Sequence, residues 1–96
     1  MDLRKLAKGR ECQVRIPRHC NHNPETTVLA HYRLAGLCGI GMKPDDMIGA
    51  WACSECHRIC DGGKTDHDRQ AVRLMHAEGV MRTMAQIRQL KREGGL

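Results

Sequence analysis

Residues 52–57 read Ala-Cys-Ser-Glu-Cys-His, and this stretch decides how the chain can fold. Its two cysteines, Cys53 and Cys56, are spaced so that both thiolates of one tight turn can reach a single tetrahedral metal ion. A short apolar segment precedes the motif, and a segment with helical character follows it. The motif therefore predicts a metal held where a strand ends and a helix begins.

A second cysteine pair lies near the N-terminus. Cys12 and Cys20 flank the loop QVRIPRH, in which Pro17 restricts the backbone and turns the second sulfur towards the first. The four sulfurs can then converge on one structural Zn2+, which requires every ligand to be deprotonated. Such an ion would contribute folding free energy to a chain short enough to need it.

Other interpretations of the cysteines are weaker. Cys38 and Cys60 are more typical of buried or free thiols, although Cys60 or His19 could replace one cysteine at the zinc. Cys-x-x-Cys-His is also the attachment signature of c-type haem, which would need export and an apolar haem pocket. A thioredoxin-like redox pair would need a βαβ unit around the motif, and the pattern predicts none.

The composition favours one small domain with a polyanionic partner. The chain has 96 residues, which is enough for a single domain with a modest core. Trp51 and Tyr32 are the only aromatic residues, and this disfavours the base-stacking surfaces of RNA-recognition sheets and single-strand-binding grooves. Sixteen Lys and Arg against eleven Asp and Glu give a formal charge of +5, which favours nucleic acid as the partner.

The sequence also predicts a cytoplasmic protein without a membrane partner. The first residues, MDLRKLAKGREC, lack the apolar core of a signal peptide, and no segment has the length of a membrane span. In a reducing compartment, six cysteines indicate metal ligands and free thiols before they indicate disulfides.

The first half of the chain predicts two strands after a short helix. Residues 2–8 suit a basic helix, and 10–24 form a loop that carries the first cysteine pair. Residues 25–33, ETTVLAHYR, predict the first strand. A glycine-rich connection follows at 34–46, and 47–52 predict the second strand, which delivers Cys53 to the metal.

Helical periodicity fills the rest of the chain. One helix is expected to begin with Ser54 as N-cap and to end at the glycines of residues 62–63. Another is expected to begin at Asp66 or Asp68, and Gly79 is expected to break it from a second helical stretch. The methionines of these helices are predicted to lie in the core.

Basic side chains share one face of the last helical turns. They suit either a solvated face, with cations favoured at a helix C-terminus, or contact with nucleic-acid phosphates. These residues are Arg88, Lys91 and Arg92. The histidines expected at the surface are His19, His22 and His76.

Several passages resemble the HNH endonucleases of the ββα-metal type, and most of all the YbcO-type group of small phage and prophage nucleases. They are GRECQVRIP, NPETTVLAHYRLAGLCG, KPDDMI and ACSECH, which together cover about residues 9–57. The resemblance implies an α+β fold, with a small zinc-stabilised ββα-metal core and a C-terminal helical extension. One HNH-like domain would span 1–96, with a zinc-ligand segment at 1–24, the core at 25–63 and helices at 64–96.

The resemblance also implies roles for individual residues. It makes His31 the general base that deprotonates a water, and His57 a ligand of a catalytic divalent ion, Mg2+ or Mn2+, with DNA as the substrate. Arg33, two residues after His31, could hold a phosphate oxygen. Without the resemblance, His31 would be interpreted as a satisfied core histidine, and His57 as a hydrogen-bonding neighbour of the zinc.

One metal-ligand position departs from the family pattern. Many HNH enzymes carry a ligating Asp directly before the base, where this chain has Ala30, which cannot ligate a metal. Asp61 follows His57 by four residues, so the two side chains share a helix face and could hold the ion together. The alternative ligands, if the turn at 62–63 folds them back, are Asp66 and His67.

The family's Asn position also differs, since Asp45 and Asp46 lie nearest to it. The first hypothesis is a metal-dependent nuclease. The alternative is a catalytically inactive, zinc-stabilised nucleic-acid-binding module, as Ala30 would suggest, and a third is a protein-interaction adaptor. The pairing of His31 with His57 favours the first.

Overall fold

Two short strands and three helices surround the cysteine motif. The computed structural model describes residues 2–36 and 45–95. In chain order, the elements are α1 (Leu3–Ala7), a 3-10 turn (Pro24–Thr26), β1 (Val28–His31), β2 (Gly49–Ala52), α2 (Ser54–Cys60) and α3 (Arg69–Arg92). The chain is therefore a small α+β protein, and the predicted order of strand, strand and helix is confirmed.

The strands pair antiparallel, with Leu29 opposite Trp51. All four residues of β2 are buried, because α3 packs against this strand. The Trp51 N–H donates to Thr83 Oγ1 at 2.9 Å, and the Trp51 carbonyl accepts from the Gln13 N–H at 2.7 Å. The central residue of β2 therefore has its backbone bonded on the side away from β1.

Both strands are shorter than predicted. Of residues 25–33, only Val28–His31 form a strand. Pro24 opens a 3-10 turn instead, and the Asn23 side chain caps it by accepting the Glu25 N–H at 3.1 Å. Proline fixes a backbone angle that suits the first position of such a turn.

Each helix begins after a residue whose side chain caps its first turn. Asp2 opens α1, where its carboxylate accepts two backbone N–H groups, and Asp68 opens α3, where its carboxylate accepts the Gln70 N–H. The prediction of Ser54 as the N-cap of α2 is wrong by one residue. Cys53 is the cap, because its sulfur accepts the Cys56 N–H at 3.4 Å.

Gly79 does not break the C-terminal helix. Helix α3 runs without interruption through 24 residues, so the prediction of two helical stretches is wrong. Gly79 is buried, and a Cβ built there would lie 2.9 Å from Val14 Cγ2 and 3.1 Å from Val14 Cα. Glycine is therefore required because the loop at 10–24, the cysteine loop, packs closely against α3 at this position. It is not required by a turn.

Two apolar clusters lie on the two faces of the sheet, as strand alternation requires. The smaller cluster, formed by α1, the sheet and α3, is Ala7, Leu29, Trp51 and Ile87. The larger cluster includes Val14, Ile16, Ala30, Ile59, Val72 and three of the four paired cysteines, Cys12, Cys53 and Cys56. The cysteine loop is thus part of the core.

The methionines of α3 only partly fulfil the core prediction. Met75 packs against the larger cluster, whereas Met81 and Met84 are 60% and 46% exposed. Among the described helices, none combines the length and the apolar character needed to cross a membrane.

Candidate metal centre and active site

The four cysteines of the two pairs converge. One sulfur from each of Cys12, Cys20, Cys53 and Cys56 lies within 4.8 Å of all the others. The first two come from the loop after α1, and the other two come from the junction of β2 and α2. Four sulfurs at such spacing fit a zinc site.

Backbone N–H groups point at these sulfurs. Arg15 N donates to Cys12 Sγ at 3.5 Å, and Ile16 N donates to Cys56 Sγ at 3.4 Å. Cys53 Sγ accepts from Asn21 N as well as from Cys56 N, both at 3.4 Å. Donors of this kind stabilise thiolates, which is the form that binds a metal. The local structure therefore fits a bound cation.

The pKa values of the cysteine thiols in the cluster differ sharply from one another. The hydrogen bond from the Cys56 thiol lowers the pKa of Cys12 to about 4 against the opposing effect of burial, with help from the Arg15 N–H. The same hydrogen bond, followed by burial, raises the pKa of Cys56. Burial raises the pKa of Cys20 to about 11. The thiols thus share protons that a metal ion would displace.

The cysteine loop holds a demanding backbone. Arg15, Arg18 and His22 have φ angles of 57°, 69° and 54°, a left-handed region that costs residues with a side chain about 1–2 kcal/mol each. Such conformations persist where the surroundings over-determine them. In this loop Arg15 itself donates its N–H to a cysteine sulfur, and so do Ile16 and Asn21, which adjoin Arg15 and His22.

Cys60 lies outside the four-cysteine cluster. It is half-buried, and its burial raises the pKa of the thiol to about 12, with the nearby Asp61 carboxylate adding to the effect. Cys60 is therefore a protonated thiol, in accord with the expectation from sequence. Cys38 lies outside the described residues.

His31 stands at the end of β1 with a carboxylate as its partner. Its Nε2 lies 2.7 Å from Asp46 Oδ1, and the same carboxylate oxygen lies 3.2 Å from Arg4 Nε. The hydrogen bond with His31 has the larger effect, and together with the Arg4 contact it holds the pKa of Asp46 below its usual value. An ionised Asp46 accepts the Nε2 proton of His31, and this fixes the tautomer and orientation of the ring.

His57 and Asp61 meet on one face of α2. His57 Nε2 lies 3.2 Å from Asp61 Oδ2, and the two side chains are 39% and 65% exposed. The predicted i, i+4 pairing of these groups is therefore present. A nitrogen and a carboxylate oxygen, both open to solvent, suit a divalent ion that keeps water ligands.

Ala30 is buried, and its backbone has an unexpected partner. The His76 Nε2–H donates to the Ala30 carbonyl at 2.9 Å, and the ring packs edge-on against Tyr32 with centroids 5.0 Å apart. The surface prediction for His76 is therefore wrong, since only 7% of it is exposed. Burial lowers its pKa, and the carbonyl hydrogen bond only partly opposes this effect. Its position in α3, one turn after Val72, is the sequence signal that could have indicated an inward side chain.

A cleft is lined by residues from the segment after β1, from the end of α2 and from α3, whereas His31 and His57 are not among its lining residues. It has a volume of about 560 Å³ and is lined by Arg33, Cys60, Asp61, Gly62, Arg69 and Arg73. Arg69 is committed to backbone carbonyls, at 2.7 Å from Ile59 O and 2.7 Å from Gly63 O. Arg73 stacks over the Tyr32 ring, with its guanidinium carbon 4.6 Å from the ring centroid. Arg33 is exposed.

Two of the predicted basic residues of α3 line a separate cavity. Arg88 and Lys91 line a cavity of about 180 Å³ together with Met47, the residue after Asp46. Lys91 and Arg92 occupy the last helical turn. All three cations are exposed.

The alternative metal ligands lie elsewhere. Asp66 and His67 group with His19, with one possible ligand atom of each within 4.8 Å of the others. His19 is half-buried, so the surface prediction for this residue is only partly right.

Comparison with known proteins places the chain in a family. The family model described as "Putative nuclease YbcO" matches residues 1–92. Proteins named "Putative nuclease YbcO" from Escherichia coli (strain K12) and "Putative nuclease ybcO" from Enterobacteria phage 82 are each 56% identical over 82 residues, which is 85% of both chains.

A solved structure also matches. It is described as "Structure of a putative bacteriophage protein from Escherichia coli str. K-12 substr. MG1655", with a TM-score of 0.76 and 43% identity over 97% of this chain and 100% of that one. The chain belongs to the YbcO family of phage-related putative nucleases.

Proposed function

We propose that this protein is a metal-dependent endonuclease of the HNH type that hydrolyses phosphodiester bonds in DNA in the cytoplasm. Its single domain is built on a ββα-metal core. The observation that carries the proposal is the shared cleft, which is lined both by Arg33, after β1, and by Asp61, at the end of α2. One residue that follows β1 and one at the end of α2 thus face the same space.

His31 acts as the general base in this proposal. Asp46 accepts its Nε2 proton at 2.7 Å, so the Nδ1 lone pair of the neutral ring is the site that takes a proton from water. Asp46 is a positioning residue, because it touches the base and not the substrate. Arg33 holds a non-bridging phosphate oxygen from its exposed position beside the cleft.

His57 and Asp61 hold the catalytic divalent ion, Mg2+ or Mn2+. When bound, such an ion stabilises negative charge on the phosphate and on the departing 3' oxygen. The pair offers one nitrogen and one oxygen 3.2 Å apart on a single helix turn. Ala30 contributes no ligand, so the helix supplies both protein ligands.

The four cysteines hold a structural Zn2+ with no role in the chemistry. A closed four-sulfur site leaves no position for substrate or water. Its contribution is positional, because Cys53 caps the helix that carries His57. Zinc thereby fixes the start of the catalytic helix.

DNA is the proposed substrate. The formal charge of +5 favours a polyanion. Phosphates on either side of the scissile bond would contact Arg88, Lys91 and Arg92, of which the first two lie beside Met47 and hence next to the Asp46 partner of His31.

The test is cleavage of plasmid DNA by the zinc-loaded protein in the presence of Mg2+ or Mn2+. Wild type should nick or linearise the plasmid, and chelation of the added ion should stop the reaction. His31→Ala should lower the rate by about 10²–10⁴-fold, the usual contribution of a general base. Cleavage by His31→Ala at the wild-type rate would refute the mechanism.

A second candidate function rests on Ala30. This residue is 1% exposed and packed in the core, so the family's ligand position is closed to any metal. The protein would then be an inactive zinc-stabilised module that binds nucleic acid. That function predicts salt-sensitive DNA binding without cleavage for every divalent ion supplied.

A further inference from the structure

We propose that His19, Asp66 and His67 form a second metal site, for a divalent transition ion such as Zn2+, separate from the four-cysteine site. The three residues come from two distant segments, the cysteine loop and the link between α2 and α3. One ligand atom of each lies within 4.8 Å of the others. Two imidazoles and a carboxylate are donors that zinc, nickel and cobalt accept well.

The hydrogen bonds of His67 prepare it as a ligand. Its Nε2 lies 3.0 Å from the Pro17 carbonyl oxygen. Because a carbonyl only accepts, Nε2 must carry the proton, and the neutral ring keeps its lone pair on Nδ1. A ring N–H bound to a backbone carbonyl is the usual support of a metal-ligating histidine.

Asp66 is held in a similar way. Arg18 Nη2 lies 2.7 Å from Asp66 Oδ2, and the other carboxylate oxygen, Oδ1, is 3.5 Å from His19 Nε2. One oxygen is thus bonded to the arginine while the other faces the histidines. Arg18 adopts a left-handed φ of 69°. This backbone conformation is unfavourable for a residue with a side chain, so the position of Arg18 beside Asp66 costs conformational energy.

His19 completes the set. Its side chain is 22% exposed, and its Nε2 lies 3.1 Å from Thr65 Oγ1. The same hydroxyl oxygen accepts the His67 N–H at 3.1 Å, so Thr65 joins the two histidines. The rings pack edge-on, with centroids 5.7 Å apart, so the two imidazoles lie side by side in different orientations.

A transition metal fits better than Mg2+ or Ca2+, which prefer sites made of oxygen ligands. The ion would tie the cysteine loop to the segment that leads into α3. Since His19 directly precedes Cys20, its immediate effect would be to hold one zinc-ligating segment in place. The alternative is a cluster joined only by hydrogen bonds and the Arg18–Asp66 ion pair.

The experiment uses protein that carries His57→Ala and one equivalent of Zn2+ per chain, enough to fill the four-cysteine site only. The His57→Ala change removes the site proposed for the catalytic ion. Co2+ is added, and bound cobalt is measured by equilibrium dialysis together with the absorption spectrum. We expect one equivalent of cobalt with visible d–d bands but without the near-ultraviolet thiolate charge-transfer band. That band would appear only if cobalt entered the four-cysteine site.

Two variants within the cluster make the test specific. His67→Gln can still donate a hydrogen bond to Pro17 but loses the imidazole ligand, and it should weaken cobalt binding by at least about tenfold. Arg18→Ala removes the ion pair that orients Asp66 but keeps all three ligands, and it should weaken cobalt binding less than His67→Gln does. No cobalt uptake at millimolar concentration, or equal uptake by His67→Gln, would overturn the proposal. Because His57 is absent throughout, neither result bears on the proposed nuclease site.

Discussion

The imidazole of His31 and the carboxylate of Asp46 meet at 2.7 Å, although the residues are 15 positions apart in the chain. This contact joins the end of β1 to the turn that precedes β2. Arg4 of α1 binds the same carboxylate oxygen at 3.2 Å. The orientation of the proposed base is therefore decided by three separate segments of the chain.

We expect Asp46→Asn to lower kcat for DNA cleavage with little change in KM. The amide can replace the carboxylate in shape but not in charge, so His31 stays in place without its anionic partner. The loss should be smaller than the roughly 10²–10⁴-fold expected for removing the base itself. Asp45→Asn is the matched control, since its carboxylate accepts the Met47 N–H and touches no histidine among its described contacts. Equal rates for the two variants would argue against a role for Asp46.

Cys53→Ser should lose the zinc while keeping a helix cap, because serine is a good N-cap. The apparent binding free energy of a structural Zn2+ is about 10–16 kcal/mol, as large as the total stability of most domains, about 5–15 kcal/mol. The variant should therefore be largely unfolded by far-ultraviolet circular dichroism and should carry no stoichiometric zinc. Cys60→Ser, outside the cluster, should keep one zinc per chain at the four-cysteine site. A folded, zinc-bound Cys53→Ser protein would contradict the assignment.

Gly79→Ala should destabilise the protein, although alanine is the better helix former. The added methyl would lie 2.9 Å from Val14 Cγ2, and overpacking of this kind costs about 1–3 kcal/mol against a helix-propensity gain of about 1 kcal/mol. Urea unfolding of the zinc-loaded protein measures the difference. Val14→Ala in the same chain should make the Gly79→Ala change less costly. An increase in stability on Gly79→Ala alone would mean that the loop yields freely.

His76 should make stability depend on pH below neutrality. Burial lowers its folded pKa from the ordinary value of 6.5, so the unfolded chain binds the proton more readily. Stability is then lost as the pH falls below about 6.5, at no more than about 1.4 kcal/mol per pH unit. Urea unfolding of wild type and His76→Gln on both sides of pH 6.5 tests this. The curves should converge towards acid pH, whereas parallel curves would exclude His76 as the source.

Removal of Arg88 and Lys91 should weaken DNA binding in a salt-dependent way. If each contacts one phosphate, the double alanine variant should lower the slope of log K against log salt by about 1.8. Binding is best measured in the His31→Ala background, so that substrate is not consumed. Leu74→Ala and Met81→Ala, which change exposed residues on the same helix, serve as uncharged controls. An unchanged slope would assign Arg88 and Lys91 to a solvated face.

Local spacing was sufficient to predict that Cys53 and Cys56 lie together in the four-cysteine cluster. Cys53 and Cys56 share one turn, and their sulfurs had to approach each other whatever the rest of the chain did. The pairing of His57 with Asp61 was equally local, because residues four apart share a helix face. The order of strands and helix followed from runs of apolar residues and from the glycines that separate them.

Long-range contacts explain what the sequence did not reveal. Gly79 was interpreted as a helix break because its intrinsic helix propensity is low, yet the glycine accommodates Val14 from a loop far away in sequence. The spacing of His76 from Val72 favours an inward side chain, but the Ala30 carbonyl to which it binds is distant in sequence, and His76 was therefore interpreted as a surface residue. Asp46 was recognised only as a departure from a pattern, since its contact with His31 depends on how the connection between the strands closes.

The backbone bonds of Trp51 have a consequence for how separate molecules meet. A two-stranded sheet has two open edges, and an open edge invites a strand from another chain. At the centre of β2 this edge is already occupied. The Thr83 hydroxyl oxygen accepts the Trp51 N–H, and the Gln13 N–H donates to the Trp51 carbonyl. At high concentration, molecules of this protein should therefore not join into intermolecular sheets along β2. The Thr83 side chain of α3 and the backbone N–H of Gln13 provide this protection.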